Sequence, residues 1–128
     1  MTLVLDSGGL SGLVGDQARL AELRRRGLWP AQVPAAVLVE TLTGDARRDC
    51  QVNRLLRACQ VRGVGETLAR EAALLRASTG RAGTVSAVDA IVVAHAASCP
   101  DPVVLTSDPA DLTALAANAP TRITIARA

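Results

Sequence analysis

The sequence predicts one α/β domain of three layers, in which helices cover both faces of a short, mostly parallel sheet. Short apolar runs rich in Val and Leu alternate with longer segments of helical pattern along the chain, which is typical of β-α-β units with a buried parallel sheet. The length of 128 residues is that of a single domain, which we expect to span 1–128 and to bury a core without disulfides.

In the first half of the chain, apolar runs and helix stop signals separate the elements. The run Thr2–Leu5 is followed by Asp-Ser-Gly-Gly, which indicates a buried strand that ends at a turn. Leu20 and Leu23 share one side of a helix that ends before Gly27. The predicted elements are strand Thr2–Leu5, helical turn Leu10–Val14, helix Asp16–Arg26, strand Leu28–Val33, a helix from Pro34 towards Gly44, helix Asp45–Arg57 and strand Cys59–Val64.

In the second half, Leu68, Ala72 and Leu75 recur at helical spacing. The next helix is the most apolar of the chain, and a short apolar strand follows it. The predicted elements are helix Glu66–Ser78, a loop through Gly80 and Gly83, helix Ser86–Ala97, strand Pro102–Thr106, helix Asp108–Ala117 and strand Arg122–Ile125.

The composition excludes some chemistry. All 14 basic residues are arginine, so no step can use a lysine amine. The net charge of +2 is too small to indicate nucleic-acid binding by itself. Seven of the arginines cluster in the first half of the chain, where solvated helix faces explain them as well as nucleic-acid contacts do: Arg24, Arg25, Arg26, Arg47, Arg48, Arg54 and Arg57.

The cysteines and the N-terminus bear on the compartment. Cys50, Cys59 and Cys99 are odd in number and lack C-x-x-C spacing, so neither a disulfide framework nor a zinc site is indicated. The chain opens on a strand instead of a signal peptide, and no apolar run approaches the ~20 residues that span a bilayer. We therefore expect a cytoplasmic protein outside the membrane.

Four carboxylates stand where the pattern calls for an apolar residue or where a buried element ends: Asp6, Glu40, Asp89 and Asp108. Asp6 follows the first strand and should emerge at the carboxyl edge of the sheet, where open α/β folds bind ligands. Glu40 interrupts an apolar stripe with Ala36 and Val37, and a buried Glu is costly unless it is paired or metal-bound.

Each carboxylate also has a purely structural explanation. Asp6 can be a turn or N-cap residue, and Glu40 can face solvent or pair with an arginine. Asp89 lies three residues after Ser86, as in a capping box. Asp108 precedes Pro109 and can cap a helix together with Asp111.

The functional interpretation rests on the coincidence of all four. Converging carboxylates repel one another unless a cation lies between them. Oxygen ligands of high negative charge suit Mg²⁺ or Mn²⁺, which commonly act on phosphates. His95, on an apolar helix, is more typical of a packed histidine, and the glycine pairs match no nucleotide motif and indicate turns.

With these residues in view, the sequence resembles the PIN-domain ribonucleases, in particular the VapC toxins of toxin–antitoxin pairs. The resemblance covers essentially the whole chain. It rests on Val-Leu-Asp6-Ser7, Val-Leu-Val-Glu40, Ser86-Ala-Val-Asp89 and Val-Leu-Thr106-Ser107-Asp108, in that order. The sequence departs from the usual opening at Gly8-Gly9, where a small and then a larger apolar residue are common.

The resemblance implies an endoribonuclease in which Asp6, Glu40, Asp89 and Asp108 bind Mg²⁺ or Mn²⁺ and carry the catalysis. It gives Asp111 and Ser7 secondary roles, as an alternative ligand and as a hydroxyl that orients a metal-bound water. It also implies a homodimer that a cognate antitoxin inhibits. RNA as the substrate follows from the resemblance alone.

Three other functions remain open. A receiver-type phosphoacceptor domain also places Asp residues at strand ends, but its chemistry requires a lysine that this chain lacks. A non-catalytic RNA-binding or interaction module of the same fold would not need four intact carboxylates. A stand-alone RNA-processing nuclease would use the same chemistry without an antitoxin.

Overall fold

The computed structural model describes every residue from Met1 to Ala128. Five parallel strands form one sheet in the order β3-β2-β1-β4-β5. The strands are β1 (Thr2–Leu5), β2 (Gln32–Pro34), β3 (Gln60–Arg62), β4 (Pro102–Thr106) and β5 (Thr124–Arg127). The helices are α1 (Ser7–Leu13), α2 (Gln17–Arg25), α3 (Val37–Thr41), α4 (Cys50–Arg57), α5 (Glu66–Ser78), α6 (Ala87–Ala97) and α7 (Pro109–Ala116).

The helices form two layers around the sheet. Helix α1 contacts α2, α3 and α4, whereas α5, α6 and α7 contact one another. Right-handed crossovers place these two groups on opposite faces, because the chain moves outward from β1 to β3 and then returns to β4. The three-layer α/β fold predicted from the sequence is confirmed.

The centre of the sheet carries the core. Leu3, Val4 and Leu5 of β1 and Val104 and Leu105 of β4 are almost completely buried. Apolar side chains from both helical layers pack on them in one cluster of 25 buried residues. Burial on both faces explains why these strands are continuous apolar runs without alternation.

The strand order also locates a crevice. From β1 the chain crosses to β2 on one side, and from β4 it crosses to β5 on the other side. Because β1 and β4 are neighbours, their carboxyl ends form the topological switch point at which open α/β sheets bind ligands. Asp6 follows β1 directly, and Asp108 lies just beyond β4.

Several predicted elements are confirmed. The bounds of β1, α5 and β4 are those expected. Helices α6 and α7 begin one residue later than expected, because Ser86 and Asp108 are their N-caps. Helix α2 ends before Gly27, which has a positive φ of 71°.

The predicted turn at Gly8-Gly9 is wrong. Helix α1 begins at Ser7, immediately after its N-cap Asp6, and includes both glycines. The predicted helix from Pro34 is also wrong in its start, since Pro34 ends β2 and α3 begins only at Val37.

Other bounds differ as well. The predicted strands Leu28–Val33 and Cys59–Val64 shorten to the three pairs shared by β2 and β3. The helix predicted over Asp45–Arg57 begins only at Cys50, because the preceding residues form a separate turn. The last strand lies two residues later than expected, where Thr124 pairs with Val103. No helix has the length and apolar content needed to cross a membrane.

Candidate functional site

Asp6 is the central carboxylate of the crevice and is only 7% exposed. Its Oδ1 accepts a hydrogen bond from the backbone N–H of Gly9 at 2.7 Å, so it is the N-cap of α1. Its Oδ2 accepts a hydrogen bond from the Thr106 hydroxyl at 2.5 Å. Both oxygens are therefore held in place at the ends of β1 and β4, and the N-cap role expected as an alternative coexists with the site position.

The two glycines after Ser7 allow α1 to approach β4 closely. A Cβ at Gly9 would overlap the backbone carbonyl of Leu105, and a Cβ at Gly8 would overlap Ser107. Because the neighbouring atoms at Gly9 belong to the backbone, no side-chain rotation would relieve that overlap. The two glycines thus permit the close approach of α1 to the end of β4, where Asp6 accepts from Thr106.

Thr106 links the two strand ends and was not identified from the sequence. It is 1% exposed, and besides donating to Asp6 its Oγ1 accepts a hydrogen bond from the Asp108 N–H at 3.1 Å. A buried hydroxyl at the end of an otherwise apolar strand was the signal in the sequence. Its role is to position Asp6 relative to the start of α7.

Glu40 lies on α3, which contacts the helix α1 that Asp6 caps. The Ser7 hydroxyl donates to Glu40 Oε2 at 3.3 Å, which joins the first turn of α1 to α3. The expectation that Glu40 is buried in an apolar stripe is wrong, since Glu40 is exposed. Because α3 begins at Val37 instead of Pro34, only Val37 of this helix is fully buried and the last turn faces solvent.

Asp89 lies in the first turn of α6, on the other side of the sheet edge. Ser86 caps the helix by accepting from the N–H groups of Val88 and Asp89. The reciprocal half of a capping box is absent, because the Asp89 carboxylate accepts no hydrogen bond from the protein. A half-buried carboxylate without a donor is an unfavourable arrangement in the absence of a cation.

The electrostatics of Asp89 show that the carboxylates converge. Burial is the largest cause that raises the pKa of Asp89, followed by the negative charges of Asp6, Glu40, Asp111 and Asp108 in that order, and together they raise it to about 6. All carboxylates selected from the sequence therefore act on Asp89.

Asp108 and Asp111 both belong to the start of α7. Asp108 is exposed, and its Oδ1 accepts a long hydrogen bond of 3.4 Å from the Ala110 N–H. Asp111, expected as a secondary ligand, raises the pKa of Asp89 more than Asp108 does. Its Oδ1 also lies 3.7 Å from Arg81 Nη2 in the loop before α6.

The suitability of this cluster for a metal ion is set by its charge and its donor atoms. The carboxylates supply only oxygen donors, and their mutual repulsion would be relieved by a divalent cation. No three His, Cys, Asp or Glu side chains lie close enough together to hold a metal ion in this structure. The case for Mg²⁺ therefore rests on the charge and the oxygen donors of the carboxylates, of which Mg²⁺ usually takes one or two beside several waters.

His95 lies outside the cluster. Its Nε2 is 2.7 Å from Gln32 Oε1 and 3.8 Å from Cys99 Sγ. Burial lowers the pKa of His95, and the positive charge of Arg62 lowers it further. It packs against the amino end of β2, as the sequence indicated.

Besides Asp6, the protein has a second buried carboxylate, Asp49, which the sequence pattern did not indicate. It is 6% exposed and accepts hydrogen bonds from the Thr43 N–H, the Thr43 hydroxyl and the Gly44 N–H, each at 2.9 Å from the nearer oxygen. The hydrogen bond from the Thr43 N–H lowers the pKa of Asp49, burial opposes this, and the other two bonds lower it further. Asp49 closes the loop between α3 and α4.

Comparisons with known proteins add the class of fold. No protein-family model and no curated protein matches the sequence. Among solved structures, a chain of DNA-bound VapBC from Salmonella typhimurium matches with a TM-score of 0.73 at 19% identity, over 98% of both chains. A chain of VapBC2 from Rickettsia felis, bound to a promoter DNA fragment, matches with a TM-score of 0.73 at 12% identity, over 100% of this chain and 99% of that one.

A third match is PAE2754 from Pyrobaculum aerophilum, with a TM-score of 0.63 at 15% identity over 97% of this chain and 83% of that one. At these identities the matches establish the fold. The five-stranded parallel sheet with flanking helices is that of PIN domains. Within that class the fold is of the VapC type, which confirms the resemblance at the level of structure.

Proposed function

We propose that the whole chain, residues 1–128, acts as one PIN domain that hydrolyses RNA phosphodiester bonds with Mg²⁺ or Mn²⁺. The observation that carries this proposal is Asp89. It is a half-buried carboxylate with no donor from the protein, and its pKa is raised to about 6 by burial and by four other carboxylates. An arrangement of this kind favours a divalent cation, and hard cations held by carboxylates commonly act on phosphates.

The proposed role of each carboxylate follows from its hydrogen bonds and its exposure. Asp6, fixed by Gly9 and Thr106, and Asp89, without a protein donor, are the proposed metal ligands at the centre. Glu40 and Asp108 approach from exposed positions on either side, and Asp111 is the alternative to Asp108. A bound cation would supply a hydroxide-like water and stabilise charge on the attacked phosphate. Ser7, which donates to Glu40, orients that carboxylate.

The form of the site fits a polymer. None of the protein's clefts is lined by these carboxylates, so the cluster lies on an open edge and does not exclude a long chain. We propose RNA instead of DNA as the substrate because the sequence resembles the VapC toxins. We further propose a cytoplasmic toxin that forms a homodimer and is inhibited by a cognate antitoxin; two of the matched structures are VapBC assemblies.

The experiment is cleavage of a mixed single-stranded RNA pool by the purified protein with Mg²⁺, with Mn²⁺ and with EDTA. We expect metal-dependent cutting that falls at least about 100-fold in Asp6→Asn and Asp89→Asn, because each loses a charged ligand of the ion. Asp16→Asn is the matched control, since Asp16 caps α2 outside the cluster and the change should leave the rate within about twofold.

The outcomes separate the competing functions. Equal cutting by wild type and Asp89→Asn would overturn the site assignment. Binding of RNA without any cutting would favour the non-catalytic module of the same fold. Single-stranded DNA of matching sequence, tested in parallel, measures the preference for RNA, and cutting of DNA at an equal rate would contradict that part of the proposal.

A further inference from the structure

Arg81 is the one arginine whose side chain contacts the carboxylate cluster. The structure contains three ion pairs, and in two of them an arginine bonds to a glutamate one turn away on its own helix: Arg26 with Glu22 and Arg70 with Glu66. In the third, Arg81 Nη2 lies 3.7 Å from Asp111 Oδ1 on a different element. Arg81 therefore brings positive charge to an edge that is otherwise negative.

The backbone of Arg81 is well fixed. Its N–H donates to the Thr79 hydroxyl at 3.1 Å, and its carbonyl accepts from the N–H groups of Thr84 and Val85, both at 2.9 Å. Val85, which is 1% exposed, anchors this turn to the core directly before the N-cap of α6. The guanidinium thus starts from a defined point beside the helix that carries Asp89.

The negative edge presents a difficulty for the proposed substrate. The carboxylates of this edge repel a phosphate chain, and a single divalent ion reduces this repulsion without balancing all five charges of Asp6, Glu40, Asp89, Asp108 and Asp111. A polyanion therefore needs an additional positive group at the edge. Among the arginines, only Arg81 is shown in contact with this cluster.

We propose that Arg81 is the phosphate-binding residue of this site, exchanging Asp111 for a backbone phosphate of the RNA when the substrate binds. This inference rests on the proposed function. It assigns the chemistry of recognition, a guanidinium on a non-bridging phosphate oxygen, and gives Asp111 the role of holding that guanidinium in the free protein.

The contact with Asp111 suits such an exchange. At 3.7 Å, with side chains that are 50% and 39% exposed, the pair is longer than a charge-assisted hydrogen bond and contributes little to stability. Guanidinium binds phosphate through two parallel hydrogen bonds, which is a better arrangement than this single contact. Release of Asp111 also frees a carboxylate to face the cation.

The experiment measures the binding of RNA and the binding of Mn²⁺, neither of which requires catalysis. Loss of Arg81 should weaken the first and strengthen the second. Binding of a fluorescent single-stranded RNA is followed by anisotropy in EDTA over a range of KCl concentrations. Binding of Mn²⁺ without RNA is followed by calorimetry. The variants are Arg81→Ala and Arg81→Lys, with Arg70→Ala as the control from an exposed ion pair on α5.

We expect Arg81→Ala to weaken RNA binding about three- to tenfold and to lower the slope of log Kd against log salt by about 0.7, the value for one lost phosphate contact on a single strand. The same variant should bind Mn²⁺ about two- to fivefold more tightly, because a nearby positive charge is removed. Arg81→Lys should keep the salt slope, and Arg70→Ala should change neither binding.

The results separate this inference from the nuclease proposal. If wild type cuts RNA but Arg81→Ala keeps wild-type RNA affinity and salt slope, the inference is overturned and the nuclease stands. If no protein cuts RNA but Arg81→Ala shows both opposite changes, the inference stands and the nuclease falls. Weakening of both bindings in Arg81→Ala would indicate a structural role and would overturn the inference.

Discussion

Two aspartates of this chain, the buried Asp49 and the half-buried Asp89, stand in opposite electrostatic surroundings. Asp49 accepts hydrogen bonds from Thr43 and Gly44, and its pKa is lowered. Asp89 accepts no hydrogen bond and faces four carboxylates, and its pKa is raised to about 6. Burial alone therefore does not mark a functional carboxylate. What distinguishes Asp89 is the lack of donors, which leaves its charge without a partner from the protein and supports its assignment to the proposed site.

Asp6 shares features of both Asp49 and Asp89. Like Asp49, it has a donor on each oxygen, from Gly9 and Thr106. Like Asp89, it lies at the switch point of the sheet and adds to the repulsion there. The donors fix its direction, and the open remainder of the edge leaves it accessible to a cation.

The largest change in stability is expected at Asp49. Asp49→Ala leaves the Thr43 and Gly44 donors without an acceptor in a buried loop, so we expect the Tm to fall by on the order of 10 °C. Thermal unfolding followed by circular dichroism measures this. Asp16→Ala, which removes a single exposed cap bond, should lower the Tm by only a few degrees. Equal falls in the two variants would show that the Asp49 loop is not specially stabilised.

Asp89→Asn should stabilise the protein, whereas Asp49→Ala should destabilise it. The folded-state pKa of about 6 lies above the ordinary value of 3.8, so the folded protein binds the proton more tightly than the unfolded chain. The stability gained from that proton is fully present below about pH 4 and is lost as the pH rises through 6. Asp89→Asn should therefore raise the free energy of unfolding by about 1 kcal/mol at pH 7.5, after discounting for solvent screening, and by little at pH 4.

Chemical denaturation of wild type and Asp89→Asn at both pH values in EDTA tests this difference. The control is Asp16→Asn, whose effect should be nearly the same at the two pH values. An Asp89→Asn protein that is less stable than wild type at pH 7.5 would show that Asp89 has a favourable partner in the folded state, and the contrast with Asp49 would fail.

The strands and helices that the sequence predicted well are those with an unbroken apolar pattern. Strands β1 and β4 lie at the centre of the sheet, where burial on both faces leaves a continuous run of Val and Leu. Strands β2 and β3, at and near one edge, have only three residues each, and β3 is exposed along its whole length, so an apolar run does not mark their bounds. Pro34 looked like a helix start because proline is common at the first position of helices, whereas here it ends β2.

The site was predictable in part for the same reason. Asp6 and Asp89 were recognisable as candidates because each interrupts or ends an apolar run, and in the structure Asp6 follows β1 and its charge acts on Asp89 of α6. The position of Arg81 was not predictable, because a loop arginine has no periodic pattern around it. The role of Thr106 was equally hidden, since its partner Asp6 lies 100 residues away in the chain.

The central claim is that the edge around Asp89 is a site for a hard divalent cation, and calorimetric titration of Mn²⁺ at pH 6 tests it most directly. We expect saturable binding by wild type with release of about half a proton per ion, since Asp89 is half protonated near its pKa of about 6. Binding should weaken at least about tenfold in Asp89→Asn and remain unchanged in Asp16→Asn. Equal Mn²⁺ binding by wild type and Asp89→Asn, or none by either, would contradict the claim.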